Sequence, residues 1–493
     1  MGDQVWLGVD VGTQSVRVTA IDDQGLVLGS GSSALKSARD GSRHEQDPRD
    51  WWNGLATAAR QALSDVDRGA IAGLAIDSTS GTILLAAADG TPLTPGLMYD
   101  DVRDPALVHD VDVAGDAVWR KLGYRRMQPS WALPKLLWLC ANDFAARRPG
   151  ARLLHQADLL TWRLAGRQLA SDSSHALKTG YDLLEDRWPE EVFDALEVPS
   201  GLLPDVSRPG TVLGTVGATA AEETLIPEGT PIVAGMTDGC ASQLGSGALR
   251  PGTWNSVIGT TLVLKGVTTE LIRDPLGIVY CHRGPQDSWL PGGASNSGAG
   301  ALSRKLPGAD FDALTRIIGE RGPSAIAYPL AGDKGERFPL RAPDLEPFVL
   351  GDVADDAGLF GALLLGVACV ERLCYDYLDL LGAPVTGPIT FTGGGTKNRY
   401  WSQLRADMLG SEVLLPADAG SARGMAVLAA AGVTGRPAPD VAAELVRVED
   451  RLTPDGARNP QLSDAYLRFV DHLTEAGHLG TEVAGHAHRR AEP

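Results

Sequence analysis

The feature that most limits how this 493-residue chain can fold is a motif that occurs twice. Val11-Gly12-Thr13-Gln14-Ser15-Val16-Arg17-Val18 and Ile258-Gly259-Thr260-Thr261-Leu262-Val263-Leu264-Lys265 share one order: apolar strand, tight Gly-Thr turn, apolar strand. Repetition of a whole supersecondary unit predicts two related lobes. Length agrees, since roughly 100–200 residues per domain makes the chain too long for a single core. The texture changes near Pro231, where a strand runs into a polar turn and then a small-residue helix from Cys240 to Gly247. The expected division is an N-terminal lobe at 1–247, a C-terminal lobe at 248–479 and a disordered tail at 480–493, rich in Gly, Ala, His and Arg.

Patterning fills in both lobes. Residues 5 to 30 predict an antiparallel meander, with turns at Gly12–Ser15 and Asp22–Gly25. Asp47-Pro48 opens a helix carrying Trp51, Leu55 and Ala59 at helical spacing. A strand at 71–76 leads into the polar loop Asp77-Ser78-Thr79-Ser80-Gly81, helices are expected at 131–147 and 156–165, and 182–230 reads as irregular. Beyond the second hairpin come a long apolar helix at about 354–381, a strand at 389–392, the run Gly393-Gly394-Gly395 and helices near 400–409 and 461–478.

Composition narrows the classes. A hydrophobic fraction of 43% with 22% charged residues is ordinary for a globular protein. No stretch offers the ~20 uninterrupted apolar residues of a membrane span; the longest run, around Leu359 to Val370, reads as a buried helix. The chain opens directly into a strand-like pattern without a basic leader, so a cytoplasmic location is expected. Five scattered cysteines with no C-x-x-C pair predict neither a disulfide framework nor a zinc site. A net charge of −18 disfavours nucleic acid and anionic membranes as partners, while amides and Mg²⁺ can still bind phosphate inside an acidic protein. A small molecule is the expected partner, and the sequence leaves a homodimer open.

Three groups of residues point to chemistry. In Asp10-Val11-Gly12-Thr13-Gln14-Ser15 the turn brings backbone close to a phosphate, its N–H groups can form an anion nest, Thr and Ser hydroxyls add donors, and Asp10 stands where it can hold Mg²⁺. A plain β-turn is the rival reading, which the recurrence at Gly259-Thr260-Thr261 weakens. Gly393-Gly394-Gly395-Thr396-Lys397-Asn398 can admit a flat ring near backbone or be a simple strand-to-helix connection; it fits neither a dinucleotide fingerprint nor a Walker loop. Asp238, at the end of an apolar strand, is a candidate base for a hydroxyl attacking a γ-phosphorus, or a helix N-cap.

Together these pieces resemble the FGGY carbohydrate kinases over about 5–435. The match rests on Gly8-Val9-Asp10-Val11-Gly12-Thr13, His44-Glu45-Gln46-Asp47-Pro48 with Trp51-Trp52, Gly235-Met236-Thr237-Asp238, Ile258-Gly259-Thr260-Thr261, and Thr392-Gly393-Gly394-Gly395 with Asn398. The resemblance implies an α/β fold of two ribonuclease-H-like lobes of the actin-like ATPase kind, with an active-site cleft between them. It implies ATP and Mg²⁺, Asp238 as catalytic base, and Asp10 by the metal and the attacking hydroxyl. It further implies that Thr13 and Thr260 contact phosphates, with Gln14, Ser15, Gly259 and Thr261 in the same hairpins, and that Gly394, Gly395 and Asn398 line the adenosine site. Xylulokinases usually carry a Met-His pair in the sugar loop, and none stands at 76–82. The chain looks more like the D-ribulose kinase group, through 77–82, Ala176–Tyr181, Gly292–Asn296 and Gly335–Pro339. That likeness puts Ser80 on a ketopentose. D-xylulose, erythrulose or a pentitol are the alternative acceptors, and a sugar-sensing actin-fold protein is the alternative outside enzymes. Arg103 is expected at the sugar or, more often for such a residue, in a surface salt bridge.

Overall fold

The structure is a computed structural model and describes residues 4–333, 335–457 and 459–491. The chain packs into two compact units. The first takes the chain up to Leu249 together with His282–Trp289 and Asp418–Arg447; the second takes Arg250–Cys281, Leu290–Ala417 and the chain from Val448 onward. The main crossing falls at 249/250, and two later segments cross back, which a single cut at 247 does not describe.

The first unit is built on a six-stranded sheet in the order Val27–Ala34, Ser15–Asp22, Val5–Val11, Ile71–Ser78, Pro231–Val233, Val212–Thr215. Its successive pairings are antiparallel, antiparallel, parallel, parallel, antiparallel. In the second unit the strands Trp289–Ala294, Leu262–Gly266, Trp254–Ile258, Ile389–Thr392, Val413–Pro416 and Val448–Leu452 repeat that series of pairings. The repeated hairpin thus stands in two copies of one ribonuclease-H-like sheet.

Local sequence explains the elements. Val5–Val11 is buried almost throughout, as a central strand covered on both faces requires, whereas Ser15–Asp22 keeps Val16, Val18 and Ala20 in the core and turns Arg17 out. Asp47 caps the helix Pro48–Ala62 by accepting from the Arg49 N–H, and Trp51, Leu55 and Ala59 are buried beneath it. The helix Ser421–Thr434 belongs to the first unit because its small residues allow backbone contact. A Cβ on Gly8 would fall 1.6 Å from the Ala422 carbonyl oxygen, and one on Gly424 would fall 1.9 Å from that of Ala241. In the second unit the helix Asp356–Leu380 is long and apolar enough to cross a membrane, yet 83% of its most apolar window lies inside the protein. A buried ion pair, Arg405 Nε to Glu371 Oε2 at 2.6 Å, fixes that helix to Arg399–Leu409.

Three expectations need correction. The tail is helical over Thr481–Ala491, held by buried Ala484 and Ala487 and by Arg490, whose guanidinium reaches Asp376 at 2.9 Å and Asp379 at 2.7 Å; residues 492–493 lie outside the described ones. The stretch read as irregular contains the helices Glu190–Ala195 and Ala218–Thr224 and the edge strand Val212–Thr215. Asp77 and Ser78 lie inside a strand rather than in the loop, because the ladder with Val5–Val11 continues through Asp10/Asp77 and Val11/Ser78.

Candidate active site

In the first unit three carboxylates gather where strands end. Asp10 and Asp77 are register partners on adjacent parallel strands. Asp238 sits in the first turn of the helix Asp238–Gly245, whose N-cap is Thr237, so Asp238 is not the cap residue. Its Oδ1 accepts from the Gly239 N–H at 2.8 Å. Asp77 is fully buried, and neither of its carboxylate oxygens has a hydrogen-bond partner among the described residues. Burial, then the charges of Asp10 and Asp238, push its carboxyl well above the usual range. Burial also raises Asp10, with Asp238 adding to the rise, while Arg17 at 3.5 Å opposes it. Of this pair Asp77 keeps a proton the more readily, since no cation offsets its burial, whereas Arg17 faces Asp10.

The hairpin at 12–15 is closed by the Gly12 N–H donating to the Ser15 carbonyl at 3.0 Å. Among the described residues no protein acceptor takes the N–H of Thr13 or Gln14. Gln46 holds the hairpin from behind: its Nε2 donates to the Thr13 carbonyl at 2.7 Å, and its Oε1 accepts from Trp51 Nε1 at 2.7 Å. That explains why His44–Pro48 accompanies the turn in sequence. Gln46 stands in a motif quoted from the sequence, but the sequence does not show that it meets this hairpin.

In the loop after Ile71–Ser78, Ser80 Oγ is buried with no hydrogen-bond partner among the described residues, and the Ser80 carbonyl accepts from Lys178 Nζ at 3.2 Å. Tyr99, 40% exposed, bonds Thr13; burial foremost and then the Asp100 charge raise its pKa. His44 Nδ1 lies 2.5 Å from Asp100, and this bond, with that from Arg39, outweighs burial and keeps the Asp100 carboxyl low. Arg103 is no surface ion pair: its side chain is 3% exposed, pairs with Asp101 at 2.7 Å and Glu45 at 2.8 Å, and packs over Trp138. The loop carries no histidine of its own, yet the structure brings one from a distant segment, His175, with Nε2 at 2.8 Å from Ser78 Oγ.

The second unit carries the other group of expected residues. Gly259 N–H donates to the Thr261 carbonyl at 3.1 Å, and the carbonyls of Gly259 and Thr260 accept from Ala299 and Gly300, leaving the exposed Thr260 at the tip. A cavity of about 250 Å³ is lined by Ala299, Phe311, Phe360, Gly394, Gly395 and Asn398, among others. Gly393 (φ 83°) and Gly395 are needed by packing on Ile258, whereas a Cβ on Gly394 would meet nothing within 4 Å. Gly394 is the open face of the run. Asn398 lines the cavity, but its polar ends are engaged: Oδ1 accepts from the Trp401 N–H at 3.0 Å as helix cap, and Nδ2 donates to Thr315 at 2.8 Å.

Two ribonuclease-H-like units, one ending its sheet in acids and the other in a neutral hairpin beside an apolar cavity, define a phosphotransferase acting on an alcohol group. The N-terminal domain of the FGGY family of carbohydrate kinases matches residues 5–245 and the C-terminal domain matches 316–433, so the chain belongs to that family and is a carbohydrate kinase. It is 30% identical to a xylulose kinase of Streptomyces rubiginosus over 88% of this chain and 89% of that one. It is 27% identical to an autoinducer-2 kinase of Photorhabdus laumondii over 96% and 95% of the two chains. Among solved structures, a xylulose kinase from Brucella ovis superposes with a TM-score of 0.86 at 26% identity, covering 96% of this chain and 99% of that one. The fold is that of the actin-like ATPase sugar kinases.

Proposed function

We propose that the chain transfers the γ-phosphoryl of ATP to a hydroxyl of a ketopentose, D-ribulose first, in the cytoplasm. The observation that carries this reading is the gathering of Asp10, Asp77 and Asp238, with Ser80, three residues beyond Asp77, carrying a buried hydroxyl that has no partner among the described residues. In it Asp238 accepts the proton of the attacking hydroxyl, as a carboxylate does in kinases generally. Asp10 orients that hydroxyl. Ser80 Oγ offers a hydrogen bond to a second sugar hydroxyl. The hairpins Gly12-Thr13-Gln14-Ser15 and Gly259-Thr260-Thr261 present amides and hydroxyls for phosphate oxygens, and Gly394, Gly395 and the body of Asn398 receive adenosine in the apolar cavity. In-line transfer requires nucleophile and phosphorus to approach to about 3–3.5 Å with water excluded.

Mg²⁺ fits the donor set. Among the described residues no three acidic, His or Cys side chains form a closed cage, and Mg²⁺ usually keeps waters and takes one or two carboxylates plus substrate phosphates. Asp10 is the residue that would hold it. The ion would neutralise charge on the phosphates.

A screen for ADP release with D-ribulose, D-xylulose, erythrulose and pentitols tests the reading. The expected result is sugar-dependent ADP release with the highest kcat/KM for D-ribulose. D-Xylulose is the second reading, favoured by relatives named xylulose kinase, and a tenfold preference for it would replace D-ribulose. Absence of ADP release with every sugar would sink the assignment.

A further inference from the structure

On the side that faces Pro231–Val233, the strand ends that carry this chemistry are only sparsely paired. The parallel pairing of Ile71–Ser78 with Pro231–Val233 is made at Leu74/Ile232 and Ala75/Val233, and contact resumes only at the single bridge Ser78/Thr237. Asp77 and Ser78 lie at or beyond the end of that ladder on one side, Thr237 and Asp238 on the other. Sparse pairing leaves that side of the strand ends free to open locally, so another element is needed to fix it.

We propose that the segment Asp172–Ala176 is a positioning brace for the acceptor site, a role that rests on the kinase reading above. Ser174 Oγ accepts from the Thr237 N–H at 3.2 Å and lies 3.1 Å from Thr237 Oγ1. The next residue, His175, places Nε2 at 2.8 Å from Ser78 Oγ and 3.3 Å from the Ser78 carbonyl. One dipeptide thus holds both strand ends, 63 and 97 residues away in sequence.

Asp172 makes the dipeptide rigid. Its Oδ1 accepts from the His175 N–H at 2.8 Å, and its Oδ2 lies 2.6 Å from Nδ1, which therefore carries a proton. A neutral ring then accepts the Ser78 hydroxyl proton at Nε2, and a charged ring donates to Ser78 Oγ or carbonyl, so Ser78 is held in either state. His282 Nδ1, 3.0 Å from Ser174 Oγ, supports the other arm. Asp172, Ser174, His175, Ser78 and Thr237 are all buried. A fully satisfied buried polar network specifies one geometry where apolar packing would tolerate several. Neither arm touches a reacting atom, and each ends one residue from a carboxylate, Asp77 or Asp238.

The test uses the full-length enzyme and separates the two arms of the imidazole. His175→Asn keeps an amide near Nδ1 for Asp172 but does not reach Ser78; His175→Gln reaches Ser78. In His175→Asn and Ser174→Ala, kcat/KM for the sugar is expected to fall ~10- to 100-fold with the KM for ATP within about twofold, and His175→Gln to recover to within about fivefold of wild type. Amide hydrogen exchange at 77–80 and 237–239, measured without substrate, is expected to speed up about tenfold or more in His175→Asn. Unchanged exchange in both segments overturns the brace, as does equal impairment of the Asn and Gln variants or an equal rise in KM for ATP. If the histidine variants do not fold, Ser174→Ala decides alone by the same readouts. A wild type inactive on every sugar defeats the function proposed above, while exchange still judges the brace.

Discussion

Where the central strand of the first unit carries Asp10, opposite Asp77, the equivalent strand of the second unit carries Val257, opposite Thr392. Each stands two residues before the turn glycine, Gly12 or Gly259. The same strand order and the same hairpin therefore end in three coupled acids in one unit and in neutral side chains in the other. The scaffold supplies the bend and its amides, while the residues just before the bend decide which charge can approach. Two charges about 4 Å apart at an effective dielectric of ~20 differ by ~4 kcal/mol between attraction and none, enough to set that preference.

The comparison can be broken most severely at its acidic end. Asp238→Ala should lower turnover by a factor on the order of 10² to 10⁴ while ATP affinity stays within about twofold, read by steady-state kinetics and nucleotide titration. Near-normal turnover would remove Asp238 as the base. Val257→Asp transplants the acidic end into the second unit and should raise the KM for ATP about 10- to 100-fold through repulsion of the polyphosphate. An unchanged KM would show that this hairpin does not meet phosphate.

Asp77 sharpens the comparison through pH. Because burial and the charges of Asp10 and Asp238 raise its folded pKa, the folded chain binds more protons than the unfolded chain above the ordinary value of 3.8. Wild-type stability should therefore fall as pH rises from there through the raised value, a cost absent in Asp77→Asn. Denaturant titrations from pH 4 to 8 should show the difference moving in the variant's favour by about 1 kcal/mol or more; a pH-independent difference would refute the raised pKa. Smallest in effect, Gly394→Ala should raise the KM for ATP ~2- to 5-fold without changing Tm, since its Cβ enters open space at the cavity. A loss of stability instead would mean the glycine serves packing.

Much of this was legible in the chain. The meander at 5–30, the Asp47-capped helix, the second hairpin and the helix Asp356–Leu380 follow from alternation, capping and a long apolar run, signals that are local. The expected site residues could be named because each sits in a short turn or at a strand end. Their neighbours could not. Gln46 behind Thr13 lies 33 positions away, and the motif it stands in does not show that the two meet. Arg103 looked like a surface residue because an Asp-x-Arg sequence says nothing about the Trp138 that covers it.

The sequence by itself determined the repeat, the two hairpins with the longer helices, the family and the identity of the residues that can carry charge. Tertiary structure decided that Asp10 and Asp77 share a register position, that His175 meets Ser78, that Asp418–Arg447 joins the first unit and that the last helix packs instead of trailing. The physical reason is range: periodicity and capping act over one or two turns, whereas register, burial and the crowding of charges depend on segments that only the folded chain brings together.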